Sequence, residues 1–178
     1  MKKIVVIGPE STGKSTLSEQ LAAHLHTVWV PEFARDYLNQ LHRPYDEADL
    51  LAIARGQIES EDRLFHQANR FLICDTDLYV IKVWSEHKYQ TCHPWILQQI
   101  AQRTYDLYIL TYIDIPWTYD PQREHPQPEM REYFFRIYLD IVIQSGTPWI
   151  CVKGNKQERL QTALNSIRSL FPQTSMHP

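Results

Sequence analysis

The sequence predicts an α/β fold built on a parallel sheet, and three observations carry that expectation. Five apolar runs, rich in Val, Ile, Tyr and Trp, recur along the chain. They are largely continuous rather than alternating, as strands buried on both faces are. Stretches of helical type lie between them, the alternation that builds parallel sheets.

Taken in order, KKIVVIG (2–8) is the first strand, and a helix begins at about Lys14 and runs through SEQLAAHL (18–25). HTVWV (26–30) is the second strand. DEADLLAIARGQIESEDRLFHQAN (46–69) is a long helix that Asp46 or Asp49 can cap. RFLICD (70–75) is the third strand, and LYVIKVWSEHKY (78–89) a helix that Asp77 can cap. YDLYILTYI (105–113) is the fourth strand. REYFFRIYLDIVIQSG (131–146) is a helix closed by Gly146, and PWICVKG (148–154) the fifth strand. ERLQTALNSIRSLF (158–171) is a last helix that stops before Pro172. One segment breaks the pattern. IPWTYDPQREHPQPEM (115–130) holds four prolines and Arg123, too polar and Pro-rich for an interior element, and reads as a lid.

The chain has 178 residues, 43% of them apolar, enough for one domain with a sizeable core. A single unit over 1–178 with its lid at about 115–130 is expected. The net charge of −3 gives no basic bias toward nucleic acid. No apolar run reaches the roughly 18 residues of a membrane span, and the start is too short and quickly polar for a signal peptide. Cys74, Cys92 and Cys151 are odd in number and widely spaced, which argues against zinc or a disulfide framework. A reducing, cytoplasmic setting is expected. The sequence does not speak to oligomeric state.

The chain has five glycines, and two of them flank PEST just before a lysine. Gly8-x-x-x-x-Gly13-Lys14-Ser15 is the P-loop pattern, in its required place between a strand and a helix. Glycine permits positive φ and close approach of backbone to phosphate. Lys14 places an ammonium on the β- and γ-phosphates, and Ser15 offers a hydroxyl to Mg²⁺. ATP is therefore expected on residues 8–16, with Gly8, Glu10, Ser11, Thr12, Gly13, Lys14, Ser15 and Thr16 in contact. The N-terminus of the following helix adds its dipole.

Phosphoryl transfer also needs a carboxylate near the metal, at a neighbouring strand end. Asp75 has that position. Asp77 either caps the next helix or holds the acceptor. Past the second strand lie Glu32 and Arg35, able to take a proton from an attacking hydroxyl or to grip a ribose. Arg123 in the lid can deliver a guanidinium to the transferring group; Arg131 and His125 are weaker candidates. GNKQER (154–159) can flank an adenine, with Asn155 as the candidate contact. Its NKQE imitates the guanine-reading N-K-x-D, but the fourth residue is Glu.

GPESTGKSTL, VPEFARDYL, GQIESE, DTDLYVIKVWSE, DIPWTYDPQREHP and GNKQER, in this order from Gly8 to about Arg159, resemble the ribosylnicotinamide kinase domain of NadR-type proteins. The resemblance implies a P-loop kinase fold, a five-stranded sheet in the order 2-3-1-4-5, and a mobile lid. It implies transfer of the ATP γ-phosphate, with Mg²⁺, to the 5′-hydroxyl of nicotinamide riboside. Lys14, Glu32, Asp75, Asp77 and Arg123 would be the catalytic residues, Ser15 and Asp75 the metal ligands, and Glu32, Arg35, Asp77 and Trp84 the acceptor contacts. Multidomain relatives add an adenylyltransferase and sometimes a DNA-binding domain; this chain begins at the P-loop strand, so neither activity is expected of it. Where some relatives carry an aromatic before the glutamate, this chain has Pro31; Phe33, Tyr37, Trp84 or Trp117 is then the stacking candidate. Two alternatives stand beside this one, a nucleotide switch with slow hydrolysis and a kinase for another nucleoside.

Overall fold

A computed structural model describes residues 1–172; the end of the expected unit, 173–178, lies outside the described residues. The elements are β1 (Lys2–Ile7), α1 (Lys14–His24), β2 (Trp29–Val30), α2 (Phe33–Gln40), α3 (Glu47–Phe65), β3 (Phe71–Asp75), α4 (Leu78–Tyr89), α5 (Pro94–Gln102), β4 (Leu107–Thr111), α6 (Pro128–Gln144), β5 (Trp149–Val152) and α7 (Lys156–Leu170). The sheet is parallel throughout, in the order β2-β3-β1-β4-β5.

Burial on both faces explains why the strands read as continuous apolar runs. Ile4 and Val6 of β1 face Leu17 and Leu21 of α1 and Ile167 of α7. Val5 and Ile7 face Val83 of α4 and Tyr138 and Val142 of α6. A third cluster, with Ala34, Ile53, Ile81 and Ile96, seats α2, α3 and α5 beside α4. β1 is flanked by β3 on one side and β4 on the other, and the chain crosses over it in passing from β3 to β4. The crevice where such a sheet reverses direction, outside the carboxyl ends of the strands, is where open α/β sheets take ligands.

Three expectations need correction. Residues 26–28 are not strand. His26 adopts φ 51°, Thr27 N–H returns to the Ala22 carbonyl at 3.0 Å, and pairing with β3 starts only at Trp29 opposite Ile73. Helices α2 and α5 went unassigned in the sequence. α5 nevertheless carried a start signal, since His93 caps it and Pro94 takes the first helical position. Residues 128–130 belong to α6 rather than to the lid. The capping expectations hold: Asp46 and Asp49 form a reciprocal capping box on α3, and Gly146 follows α6 at φ 68°.

Gly56, inside α3, fixes the seat of α2. A Cβ there would stand 2.2 Å from the Phe33 ring. Gly56→Ala gains helix propensity of at most about 1 kcal/mol. It also forces Phe33 off its seat, an overpacking cost of about 1–3 kcal/mol. A net loss of about 1 kcal/mol in urea unfolding is expected. An alanine variant more stable than the parent would show that the contact yields freely.

Candidate phosphate and acceptor cleft

The chain between β1 and α1 is shaped by backbone conformation and by one side-chain relay. Gly13 sits at φ 79° in the N-cap position of α1, and Ser11 at φ 57°. Thr12 is fully buried; its hydroxyl donates to the Pro9 carbonyl at 2.7 Å and lies 2.7 Å from the Thr111 hydroxyl. Thr111 in turn donates to the Ile7 carbonyl at 3.2 Å. The Thr12 side chain thus shapes the loop. Gly8 has the positive φ expected of it, 147°, and a second reason to be glycine that the pattern did not disclose. A Cβ there would stand 2.4 Å from the Thr111 hydroxyl, so close approach to β4 by itself excludes a side chain. Lys14 Nζ donates to the Pro9 carbonyl at 2.7 Å, which folds the ammonium over its own loop.

These residues open on a cleft of about 270 Å³. Gly8 and Glu10 through Thr16 form one wall, and Glu32, Arg35, Trp84 and Arg123 complete it. The β2 end, the α2 start, α4 and the lid therefore converge on the loop, as the motifs suggested. Asp75 lies beneath, at the end of β3 and 1% exposed, with its Oδ1 buried and unpaired. Burial, with Glu32 nearby, pushes its carboxyl up to about 6, against the pull of the Ser15 hydroxyl, Lys14 and Arg35. A buried carboxylate oxygen without a partner beside a serine hydroxyl suits a hard cation. Among the described residues no group of three or more His, Cys, Asp or Glu stands together to hold a metal. Mg²⁺ commonly needs only one or two protein oxygens when phosphates supply the rest.

Two predicted residues stand elsewhere. Asp77 caps α4, accepting the Tyr79 N–H at 3.0 Å, and its other oxygen accepts the Tyr108 hydroxyl at 2.8 Å. It is 2% exposed, burial pushes it up to about 7, and it does not line the cleft. Asn155 likewise caps α7 in a reciprocal box with Glu158, and Lys156 and Arg159 of the first turn of α7 are the residues there that line the adjoining hollow. In both cases a short polar side chain just before a helix was spent on orphan backbone N–H groups.

The lid lies over the loop. Glu10 accepts the backbone N–H groups of Glu124 at 3.1 Å and His125 at 2.5 Å. Arg123 reaches the Ser11 hydroxyl at 3.3 Å and also donates to the Thr118 carbonyl. Arg35 pairs with Asp120 at 2.9 Å, and Gln122 donates to Asn39 at 2.7 Å, joining the lid to α2. On one side the cleft continues, past Gly13 and Arg123, into a hollow of about 380 Å³ lined by Leu17, Ile115 and Lys156. On the other it continues, past Glu10 and Trp84, into a smaller pocket with Tyr45, His87, Phe134 and Tyr138. Of the four candidate stacking aromatics, only Trp84 lines it. Phe33 packs toward Gly56, and the Tyr37 hydroxyl donates to Asp49 at 2.8 Å. The indole N–H of Trp117 is buried without a partner. His87 and Tyr138 escaped the sequence reading because aromatics at helical spacing look like core, and Tyr45 because it stands alone in the loop before α3.

A strand, a glycine-lysine loop at the N-terminus of a helix, a carboxylate on the adjacent strand and a folded lid define a P-loop kinase-like fold. The chain belongs to the AAA domain family, whose model matches residues 3–159. It is 25% identical over 159 residues to the trifunctional NAD biosynthesis/regulator protein NadR of Salmonella typhimurium. That alignment takes in 86% of this chain and 38% of the relative, so the chain spans well under half the length of that protein. Among solved structures it resembles a NadR protein in complex with NR, with a TM-score of 0.75, 22% identity, and coverage of 95% of this chain and 51% of that one. It also resembles a NadR protein in complex with NAD and AMP-PNP (0.77, 19%, 95% and 49%). A deoxyadenosine kinase from M. mycoides with bound dATP matches at 0.58 with 14% identity, over 94% of this chain and the whole of the other. No helix among the described residues is long and apolar enough to cross a membrane.

Proposed function

We propose that this chain is an ATP-dependent nucleoside kinase that phosphorylates the 5′-hydroxyl of nicotinamide riboside, giving nicotinamide mononucleotide. The observation that carries this reading is the shape of the groove. A phosphate cradle at its centre joins a hollow suited to an adenine on one side and an aromatic pocket at Trp84 on the other. Similarity to NadR, whose structures hold NR or AMP-PNP, supports both ligands.

In this reading the loop amides and Lys14 hold the triphosphate. Ser15 and Asp75 would hold Mg²⁺, which would supply charge neutralisation to the phosphates. Glu32 and Arg35 position the acceptor ribose, and Trp84 faces its base. Asp77 has no direct part, because its carboxylate is committed to α4 and Tyr108. The 5′-oxygen bonds to the γ-phosphorus as the bond to the β-phosphate oxygen breaks. ADP leaves, and the hydroxyl proton passes to Glu32. Arg123 stabilises charge on the transferring group from the lid, whose closure keeps water from competing.

The test is ADP release from ATP·Mg²⁺ with a panel of nucleosides, with the product identified by mass. Nicotinamide riboside is expected to accelerate release above all other nucleosides. Acceleration by a purine nucleoside alone would reassign the acceptor. Release indifferent to every nucleoside would favour a nucleotide switch.

A further inference from the structure

We infer that two buried arginines behind the loop, Arg131 and Arg159, are positioning residues that aim its amide hydrogens at the triphosphate; the inference rests on the nucleotide-binding reading above. Arg131 lies in the first turn of α6 and Arg159 in the first turn of α7, and they are 9% and 3% exposed. Arg159 Nη1 donates to the Thr12 carbonyl at 2.9 Å, and Arg131 Nη2 donates to the Ser11 carbonyl at 3.4 Å. In a trans peptide the carbonyl and the following N–H point in opposite directions. Drawing the Ser11 and Thr12 carbonyls toward the arginines therefore turns the N–H groups of Thr12 and Gly13 the other way. Gly13 is exposed on the cleft and Thr12 lies buried at its edge, and neither amide donates to a protein acceptor among the described residues.

Each arginine is anchored from other elements. Arg159 also donates to the Gly154 carbonyl at 2.8 Å and the Tyr112 carbonyl at 3.0 Å, and pairs with Asp114. Arg131 also donates to the Ile115 carbonyl at 2.8 Å. It has no ion pair among the described residues, and its Nε is buried and unpaired. Guanidinium stays charged in proteins, and a buried one whose facing carboxylates, Glu10 and Asp114, stand beyond ion-pair reach is costly. A triphosphate on the opposite side of the loop adds a further anion. Both arginines thus contribute twice, by turning peptide planes and by placing positive charge behind them.

The claim predicts losses that grow with phosphate number. Arg131→Met and Arg159→Met are to be compared with the parent by calorimetry against ATP, ADP, AMP and adenosine, and by steady-state kinetics. ATP affinity is expected to fall at least tenfold in each and ADP affinity less. Adenosine affinity should change less than twofold. KM for ATP should rise more than kcat falls, and Arg131→Lys should recover part of the ATP affinity. A uniform loss across all four ligands, or no loss, would overturn the claim. The parent protein offers a check that needs no variant. On adding inorganic tripolyphosphate, the amide resonances of Thr12 and Gly13 should move as far as those of Lys14–Thr16; if they stay in place, the peptides are not aimed as inferred. Failure of the parent itself to bind ATP would instead remove the nucleotide-binding reading.

Discussion

Lys14→Ala is expected to lower kcat by roughly 10³-fold or more while leaving the fold intact. Removal of one preorganised charge-stabilising donor from a water-excluded site typically costs 10²–10³. Lys14 offers a full charge rather than a dipole and stands where the β- and γ-phosphates would lie. Its ammonium rests on the Pro9 carbonyl at 2.7 Å, a bond that holds it within the loop until an anion arrives. Losing that bond costs about 1 kcal/mol of stability. The Pro9 carbonyl keeps the Thr12 hydroxyl as a second donor, so it is not orphaned. The variant should therefore unfold cooperatively close to the parent midpoint while its phosphoryl transfer is nearly lost. Full retention of turnover would place the triphosphate elsewhere.

Asp75→Asn is expected to pull stability and activity in opposite directions. In the nucleotide-free protein the buried carboxylate has an unpaired oxygen and faces Glu32, so its carboxyl is pushed up to about 6. A carboxyl raised in the folded state contributes its stability below the unfolded value near 4, and that contribution is lost as pH rises through about 6. Asp77, pushed up to about 7, acts in the same direction over a slightly higher range. Without nucleotide and magnesium, the parent should therefore lose stability between pH 4 and 7. Asparagine should remove the Asp75 share, a gain of up to about 3 kcal/mol at neutral pH. The same change deprives Mg²⁺ of its carboxylate, and kcat should drop by roughly 10²–10³-fold. Urea titrations across this pH range, together with turnover at saturating magnesium, check both halves. A variant less stable than the parent at pH 7 would show that the ionised carboxylate is not a burden. Strained, destabilising groups of this kind are common where function requires them.

How much of this was legible in the sequence varied with the physics behind each residue. The sheet was readable because burial on both faces leaves β1, β3 and β4 nearly all apolar. The cradle was readable because glycines and a lysine at fixed spacing have few other uses between a strand and a helix. Asp77 and Asn155 were ambiguous because the residue types that grip ligands are the same types that cap helices, and the fold has the Tyr79 and Glu158 amides claiming their side chains. Gly8 has the positive φ the motif implied, and a second reason that depends on β4, about a hundred residues away in the chain. Arg159 ended the sequence motif unassigned and Arg131 stood only as a weak lid candidate. Nothing local distinguishes an arginine reaching the back of a loop from one in solvent. Residues 26–28 read as strand because Thr27 and Val28 lead directly into Trp29-Val30, while His26 and Thr27 close the turn after α1.

Transfer of label from [γ-³²P]ATP decides the account most directly. With nicotinamide riboside and Mg²⁺ present, the label should appear in a riboside 5′-monophosphate, one for each ADP formed, with little inorganic phosphate. Label found only as inorganic phosphate, at a rate the nucleoside does not change, would contradict it.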